Sequence, residues 1–417
     1  MSRSRTAWIV SLLIAFSQSA VATRDAQSNR NEPMGQPQID RVAPREDGDP
    51  ERIQAPVLSG YVVEKIADTS TPLPAGTGAF AAFGVPSIDG GTVAFRADGD
   101  MGQKGVYALV GNTLTKVADL DTPIPGGAGN FTYFENVALD GQVSVSSDGS
   151  VAFIGQSDAG GSHRMGIYTN KTGPLSILVD NTFPVPRNPA GTFGNFFMMS
   201  SDGGQVAFTA VSDGFLQGLY LADGSSVSLV ADSSTPIPGG TGNFTDFGLS
   251  SEAGHPSLHA GDIAFIGVGD LSQSGIPQSG VYGLIGNILT VIADRNTLIP
   301  GTRTTFGPFN DASTKVADIR AGEVVFQNDG VYVARSSGLE TVADFTTRIP
   351  GGTGLRFNSF GPLRSTTAKW CSPACMCSRL RRRIRCFSPS SASTVTFKAS
   401  CRASSPGRPS PGWTVKS

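Results

Sequence analysis

Beyond residue 60 the chain alternates short apolar runs, many of period two, with polar stretches rich in glycine and proline. The runs draw on Val, Ile, Phe, Tyr and Thr, which suit a pleated, half-buried surface. Asp-Gly and Gly-Asn pairs separate them, and such pairs favour tight hairpin turns. The pattern predicts strands joined by turns, with few exposed helices.

The pattern also repeats. A phrase close to V-A-D-x-x-T-P-I-P-G-G-T-G-N-F-x-x-F-G recurs, with its two phenylalanines at Phe80/Phe83, Phe131/Phe134, Phe193/Phe196, Phe244/Phe247, Phe306/Phe309 and Phe357/Phe360. Successive first phenylalanines lie 51, 62, 51, 62 and 51 residues apart, so a two-repeat unit was itself duplicated. Within each copy the order is constant. A Val-Ala-Phe-like strand comes first (Val93–Phe95, Val151–Phe153, Val206–Phe208, Ile263–Phe265, Val324–Phe326). A Gly-x-Tyr strand follows, carrying Tyr107, Tyr168, Tyr220, Tyr282 or Tyr332. A last strand ends at Asp119, Asp180, Asp232, Asp294 or Asp344. With a weaker strand near the phenylalanines (Phe83 to Ile88 in the first copy), each copy holds four short strands. That is the size of a propeller blade, and one blade alone cannot bury both faces of its sheet.

The stretch Pro86-Ser87-Ile88-Asp89-Gly90-Gly91-Thr92-Val93-Ala94-Phe95, followed by Gly105-Val106-Tyr107, resembles the blade motif of TolB-like (PD40-type) β-propellers. The whole repeat is also similar to uncharacterised exported repeat proteins of bacteria. The likeness covers about residues 61–361. It implies an all-β propeller and says little about activity, because propellers host many functions.

Tyr61 to Asp68 reads like the last strand of a blade placed before the first full repeat. It is expected to complete the final blade, giving a ring six-bladed by design. Five copies are whole, and the sixth begins at Phe357. After Leu363 the text changes. Residues 365–417 carry 10 Lys+Arg, no acid, and all five cysteines (Cys371, Cys375, Cys377, Cys386, Cys401). We read residues 364–417 as an aberrant, disordered tail, a frameshifted sixth blade, since out-of-frame GC-rich DNA tends to give Ser, Arg, Pro and Cys. A thiolate metal site, an anion-binding basic tail and a disulfide-bearing extension are the competing readings. An incomplete ring would leave an open sheet edge.

Charge and the first residues complete the division into segments. Residues 1–364 hold 22 Lys+Arg against 34 Asp+Glu and no cysteine, which argues against a disulfide framework and against nucleic acid as a partner. Arg3 and Arg5, the apolar run Ala7 to Phe16 and Ala20-Val21-Ala22 read as a signal peptide over 1–22. That run is short for a membrane span. Residues 23–60 are polar and read as a disordered leader, and 61–363 as the propeller. The expected location is periplasmic, secreted or cell-surface, as a monomer with no stable membrane span after signal cleavage.

Candidate chemistry is sparse. The Asp before each Thr-Pro (Asp68, Asp119, Asp232), with Asp121 and Asp98-Gly99-Asp100, fits either Ca²⁺ ligation or side-chain capping of a turn, and recurrence in every copy favours the cap. His255 and His259 lie in a Pro/Gly-broken segment, and His163 lies in a Gly-rich turn. No catalytic set, cofactor fingerprint or metal set stands out. The repeated Phe and Tyr read as core. The breaks in the repeat are His163-Arg164, Asn188-Pro189 and Glu252 to His259, and they go with the 62-residue spacings, which makes those loops the expected ligand positions. The chain therefore reads as a non-enzymatic binding or scaffold module for a protein or glycan. The alternative is a glycan hydrolase or lyase working from the central channel.

Overall fold

The computed structural model describes residues 63–360, apart from 135–142, 249–254, 272–276, 310–314, 350–353 and positions 162, 172, 213 and 215. Outside that range it describes only the short strands Val10–Leu12, Arg364–Thr366, Lys369–Cys375 and Thr394–Lys398. The rest of residues 1–22, read above as a signal peptide, residues 23–60, read as a leader, and most of the tail lie outside the described residues.

The chain is all-β. In sheet I, Phe80–Phe83 (β1) and Ser87–Asp89 (β2) both pair antiparallel with Thr92–Gly99 (β3). Lys104–Val110 (β4) and Thr113–Asp119 (β5) continue the meander. The weak strand read near the phenylalanines is thus a first strand in two pieces. Sheets II (133–180), III (184–232), IV (244–294) and V (315–344) repeat the plan with four or five strands each. The first strands of successive sheets abut one another, as blades do around an axis.

The repeat motif can be explained from this geometry. Along a strand, alternate residues face opposite sides. One side of each sheet presents four rings: Phe80, Phe83, Phe95 and Tyr107 in sheet I, and Phe131, Phe134, Phe153 and Tyr168 in sheet II. The first Phe meets the Tyr edge-on in every sheet, at 4.9, 5.0, 5.0, 4.9 and 4.7 Å, the arrangement that ring quadrupoles favour. The other side is small and aliphatic, and the rings of each sheet lie on the aliphatic side of the one before. Ala94, Val106 and Ala118 share a core with the sheet II rings. Ala207, Leu219 and Ala231 serve sheet IV, and Ala264, Val281 and Ala293 serve sheet V. The repeated Phe and Tyr are core, as expected.

The glycine of Gly-x-Tyr answers a close approach. A Cβ on Gly105, Gly166, Gly280 or Gly330 would sit 2.5–2.8 Å from the carbonyl oxygen of the buried residue before the closing Asp on the last strand. A β-bulge at the tyrosine recurs in all five sheets and brings those strands together.

Two ends of the chain flank sheets I and V. Ile66 and Ala67 are buried with Phe80, Phe95 and Tyr107, where an aliphatic side would otherwise lie. Tyr61–Asp68 was expected to pair into the last sheet. Instead Val63–Lys65 pairs parallel with Val10–Leu12, although its Ile66-Ala67 end covers the rings as a preceding last strand would. At the other end, Phe357 and Phe360 pack on Val325, Val331 and Ala343 of sheet V. Ser359–Phe360 and Arg364–Thr366 pair antiparallel with Lys369–Cys375 in the register of β1 and β2 with β3, shifted by 277 residues (Ser87↔Ala94 becomes Arg364↔Cys371). Thr394–Lys398 then adds in parallel, where the other sheets have an antiparallel Gly-x-Tyr strand. The sixth copy departs from the plan at this strand.

Candidate functional site

The connections divide into two ends. The loops that lead into each sheet and the turns between its second and third strands lie at one end, here the loop end. The turns after the first and third strands lie at the other.

At the far end a polar position repeats with changing chemistry. Aligned on the Val-Ala-Phe strand, it is Asp89, Ser147, Asp202, His259 and Arg320. Asp202 accepts hydrogen bonds from the Ser147 hydroxyl and from the Ala260 amide (2.8 Å), and His259 Nδ1 lies 3.3 Å away. Burial opposes its ionisation. Donation from Ser147 and Ala260, with the charge of His259, outweighs that and holds the carboxyl below the usual range. Arg320 Nη2 donates to Asp89 Oδ2 at 2.9 Å, so sheet V touches sheet I. Ser147, Asp202 and His259 are residue types of a nucleophilic triad, but hydroxyl and imidazole both bind the carboxylate. No base sits on the hydroxyl, and the cluster staples turns together.

About two residues earlier in the first strands of sheets I to IV is a row of serines. Ser87, Ser200 and Ser257, with Ser144 displaced by one position, accept from the backbone N–H of Val145, Leu258, Ile319 and Ser201 in the next sheet, at 2.9–3.1 Å. The serine of the Pro-Ser motif therefore satisfies an edge-strand amide that no neighbouring strand pairs.

The recurring aspartates cap turns. Asp232 Oδ1 accepts from Ser234 N–H (2.9 Å), Ser234 Oγ (2.7 Å) and Thr235 Oγ1 (2.9 Å), and the Asp232 amide donates to Thr235 Oγ1 (2.9 Å). Asp68, Asp119, Asp294 and Asp344 repeat the arrangement. Partial burial resists ionisation of Asp232 and Asp344, yet these donors keep both carboxyls below the ordinary range. The same carboxylates face the core tyrosines: burial first, then Asp119, pushes Tyr107 up to about 12. Asp100, of the Asp98-Gly99-Asp100 loop, accepts from the Ala79 amide at 3.1 Å, and Asp98 pairs with Arg96 at 2.9 Å. Among the described residues no group of three or more His, Cys, Asp or Glu side chains is placed to hold a metal ion.

One break in the repeat lies at the loop end of sheet II. The residue two before Gly-x-Tyr is Gln103, Leu216, Gln278 and Asn328 in sheets I, III, IV and V, but Arg164 in sheet II. The amides brace their loops: Gln103 Nε2 donates to Thr77 O (2.7 Å), Gln278 Oε1 accepts from the Thr241 amide (3.3 Å), and Asn328 Nδ2 donates to Pro308 O (3.0 Å). Arg164 Nη1 instead pairs with Asp180 Oδ2 at 3.0 Å, and Asp180 is fully buried. Beside the guanidinium is a cavity of about 340 Å³, lined by Ile124, Gly126, Gly127, Ala128, Ser157, Ala159 and Arg164. A Cβ on Gly126 would lie 2.8 Å from Arg164 Nη1, so a side chain there would crowd the guanidinium.

The expected ligand loops fare differently. His163 precedes Arg164 in the chain, with Nδ1 2.7 Å from Asp158 Oδ1. Asn188 opens the long strand Asn188–Asp202. His255 is buried, His259 belongs to the far end, and Glu252 lies outside the described residues. Arg164 is visible in the sequence as a break in the repeat, but its partner Asp180 and the overlying glycines come to it only through the fold. Aligning the copies on Gly-x-Tyr is the signal that isolates it.

This architecture is that of a β-propeller. Residues 59–367 match a Family of unknown function (DUF7453), and the chain belongs to that family. Among solved structures, the putative TolB from Agrobacterium tumefaciens is similar at 15% identity over 62% of this chain and 80% of that one, with TM-score 0.33. The β-propeller domain of the Trilobed protease from Pyrococcus furiosus is similar at 10% identity, 64% and 86% coverage and TM-score 0.30. A putative glycoside hydrolase from Bacteroides ovatus gives 11%, 62%, 84% and 0.26. At these scores the likenesses carry no argument about the site. No curated protein matches the chain.

Proposed function

We propose that the protein is an exported, non-enzymatic propeller that binds a protein or glycan ligand at its loop end, with the cavity beside Arg164 in sheet II as the seat. The plan is six-bladed, with the sixth blade altered beyond residue 363. Support for the plan comes from the register of the strands at 359–375 and from a family match that ends at residue 367. One observation carries the binding reading: the repeat is broken by a cation at the loop end, where a cavity opens. A scaffold that only stacks its blades has no need of that exception.

The test is an array of glycans and peptides probed with the full chain and two variants. Ala128→Trp fills the cavity, whereas Asn112→Trp adds the same bulk to an exposed turn at the far end. Capture abolished by the first and kept by the second supports the reading. Capture insensitive to Ala128→Trp, or no capture at all, overturns it.

A further inference from the structure

We infer that the sheet II cavity selects an anionic oxygen group, a carboxylate or a sulfate ester, and that Arg164 is the residue that reads it. This rests on the binding reading above and adds the class of ligand. Three observations converge.

The first is the exchange of charge at one position. Where three sister sheets place a neutral amide that braces its own loop, sheet II places a guanidinium. Bracing alone is met by glutamine, because Gln278 Nε2 reaches Asp294 Oδ2 (3.5 Å) much as Arg164 reaches Asp180. The charge is what distinguishes sheet II.

The second is preorganisation. Asp180 is fully buried and holds Nη1 at 3.0 Å, and Gly126 and Gly127 close over the side chain, with a Cβ on Gly127 falling 3.0 Å from Arg164 Cδ. A guanidinium held at Nη1 by this ion pair presents the rest of its planar fork with less side-chain ordering left to do on binding. That fork matches two oxygens of one anionic group.

The third is the lining. Among the described residues it is, besides Arg164, lined by Ile, Gly, Ala and Ser, with no carboxylate. Asp158, next to Ser157 in the chain, is engaged by His163 Nδ1 at 2.7 Å and by Gln156 Nε2 at 3.2 Å. The volume, about 340 Å³, suits a single sugar-sized group.

The experiment follows the Arg164 side-chain N–H signal in protein labelled with ¹⁵N at arginine Nε, assigned by its loss in Arg164→Gln. Glucuronate, sodium sulfate and glucose are titrated against chloride of equal ionic strength. A saturable shift of that signal with glucuronate identifies a carboxylate reader, and with sulfate a sulfate reader. Glucose gives none. No saturable shift with either anion, or an equal one with glucose, overturns the inference. Arg164→Gln recreates the sister-sheet residue and keeps the fold, which its melting curve checks. Arg164→Lys keeps the charge but loses the fork, and weakens binding by about tenfold or more. Gln278→Arg, beside Asp294 and Gly240, creates a second anion-responsive arginine signal. An array ligand that is lost in Ala128→Trp but kept in Arg164→Gln sinks the anion inference and leaves the binding reading standing.

Discussion

Sheets I and II carry the same four rings, yet their surroundings differ. In sheet II the rings lie under Ala94, Val106 and Ala118 of the preceding sheet, and Phe131, Phe134, Phe153 and Tyr168 are all buried. In sheet I the cover among the described residues is Ile66, Ala67 and Leu73, and Phe83 is only half-buried. The residue before the far-end polar position shows the same contrast. Ile88 is 37% exposed, where Leu258 and Ile319 are 5% and 2% exposed. Identical motifs thus acquire different stability from what a neighbour supplies. A blade is half of two interfaces, and the first and last blades are where one half can be missing.

The contrast can be broken most sharply by removing a ring. Phe134→Ala leaves a cavity between two sheets and is expected to cost about 3–5 kcal/mol in urea unfolding, whereas Phe83→Ala, its counterpart in sheet I, costs about 1–2 kcal/mol. Equal losses would mean that the sheet I rings are as fully covered in solution as those of sheet II.

Next in size are the serines that join first strands. Ser257→Ala strands the buried Ile319 amide and removes a 2.5 Å hydrogen bond to Asp318, a loss of about 1–3 kcal/mol. Hydrogen exchange at Ile319 should accelerate in step. An unchanged rate would show that a water replaces the hydroxyl.

Acid provides the third probe. The folded pKa values of Asp232 and Asp344 lie below the unfolded value, so the stabilisation they supply is complete above it and is lost as pH falls through the folded values. Unfolding midpoints should hold steady above about pH 5 and decline below about pH 4. Asp344→Asn should flatten that decline at the sheet V end and leave sheet II untouched. An equally steep decline in the variant would remove the turn from the account.

The smallest effect is at the contact between sheets V and I. Arg320→Ala removes a half-buried ion pair with Asp89 and is expected to cost about 1 kcal/mol, less at high salt. A larger loss would mean that this pair carries much of the contact between the two ends of the array.

Much of the architecture was legible in the residues. The period of the two phenylalanines located every sheet, the Val-Ala-Phe and Gly-x-Tyr runs located its strands, and recurrence of the Asp before Thr-Pro pointed to a capped turn. These are local properties: strand alternation, turn chemistry and the two- or three-residue reach of an Asp side chain are fixed by the chain near them. The role of the serine in Pro86-Ser87 was not legible, because its partner Val145 lies 58 residues away on another sheet. Nor was the pairing of Val63–Lys65, since an edge strand takes whichever partner the fold brings to it.

The candidate site divides in the same way. Sequence alone determined that sheet II carries Arg164 where its sisters carry other residues, and that the 62-residue copies hold extra loop. Tertiary structure decided that Asp180 lies beneath that arginine, that Gly126 and Gly127 lie over it, and that a cavity remains beside them. Charge at a position is a property of one residue. Its burial, its partner and the space next to it arise only when separate strands and loops converge.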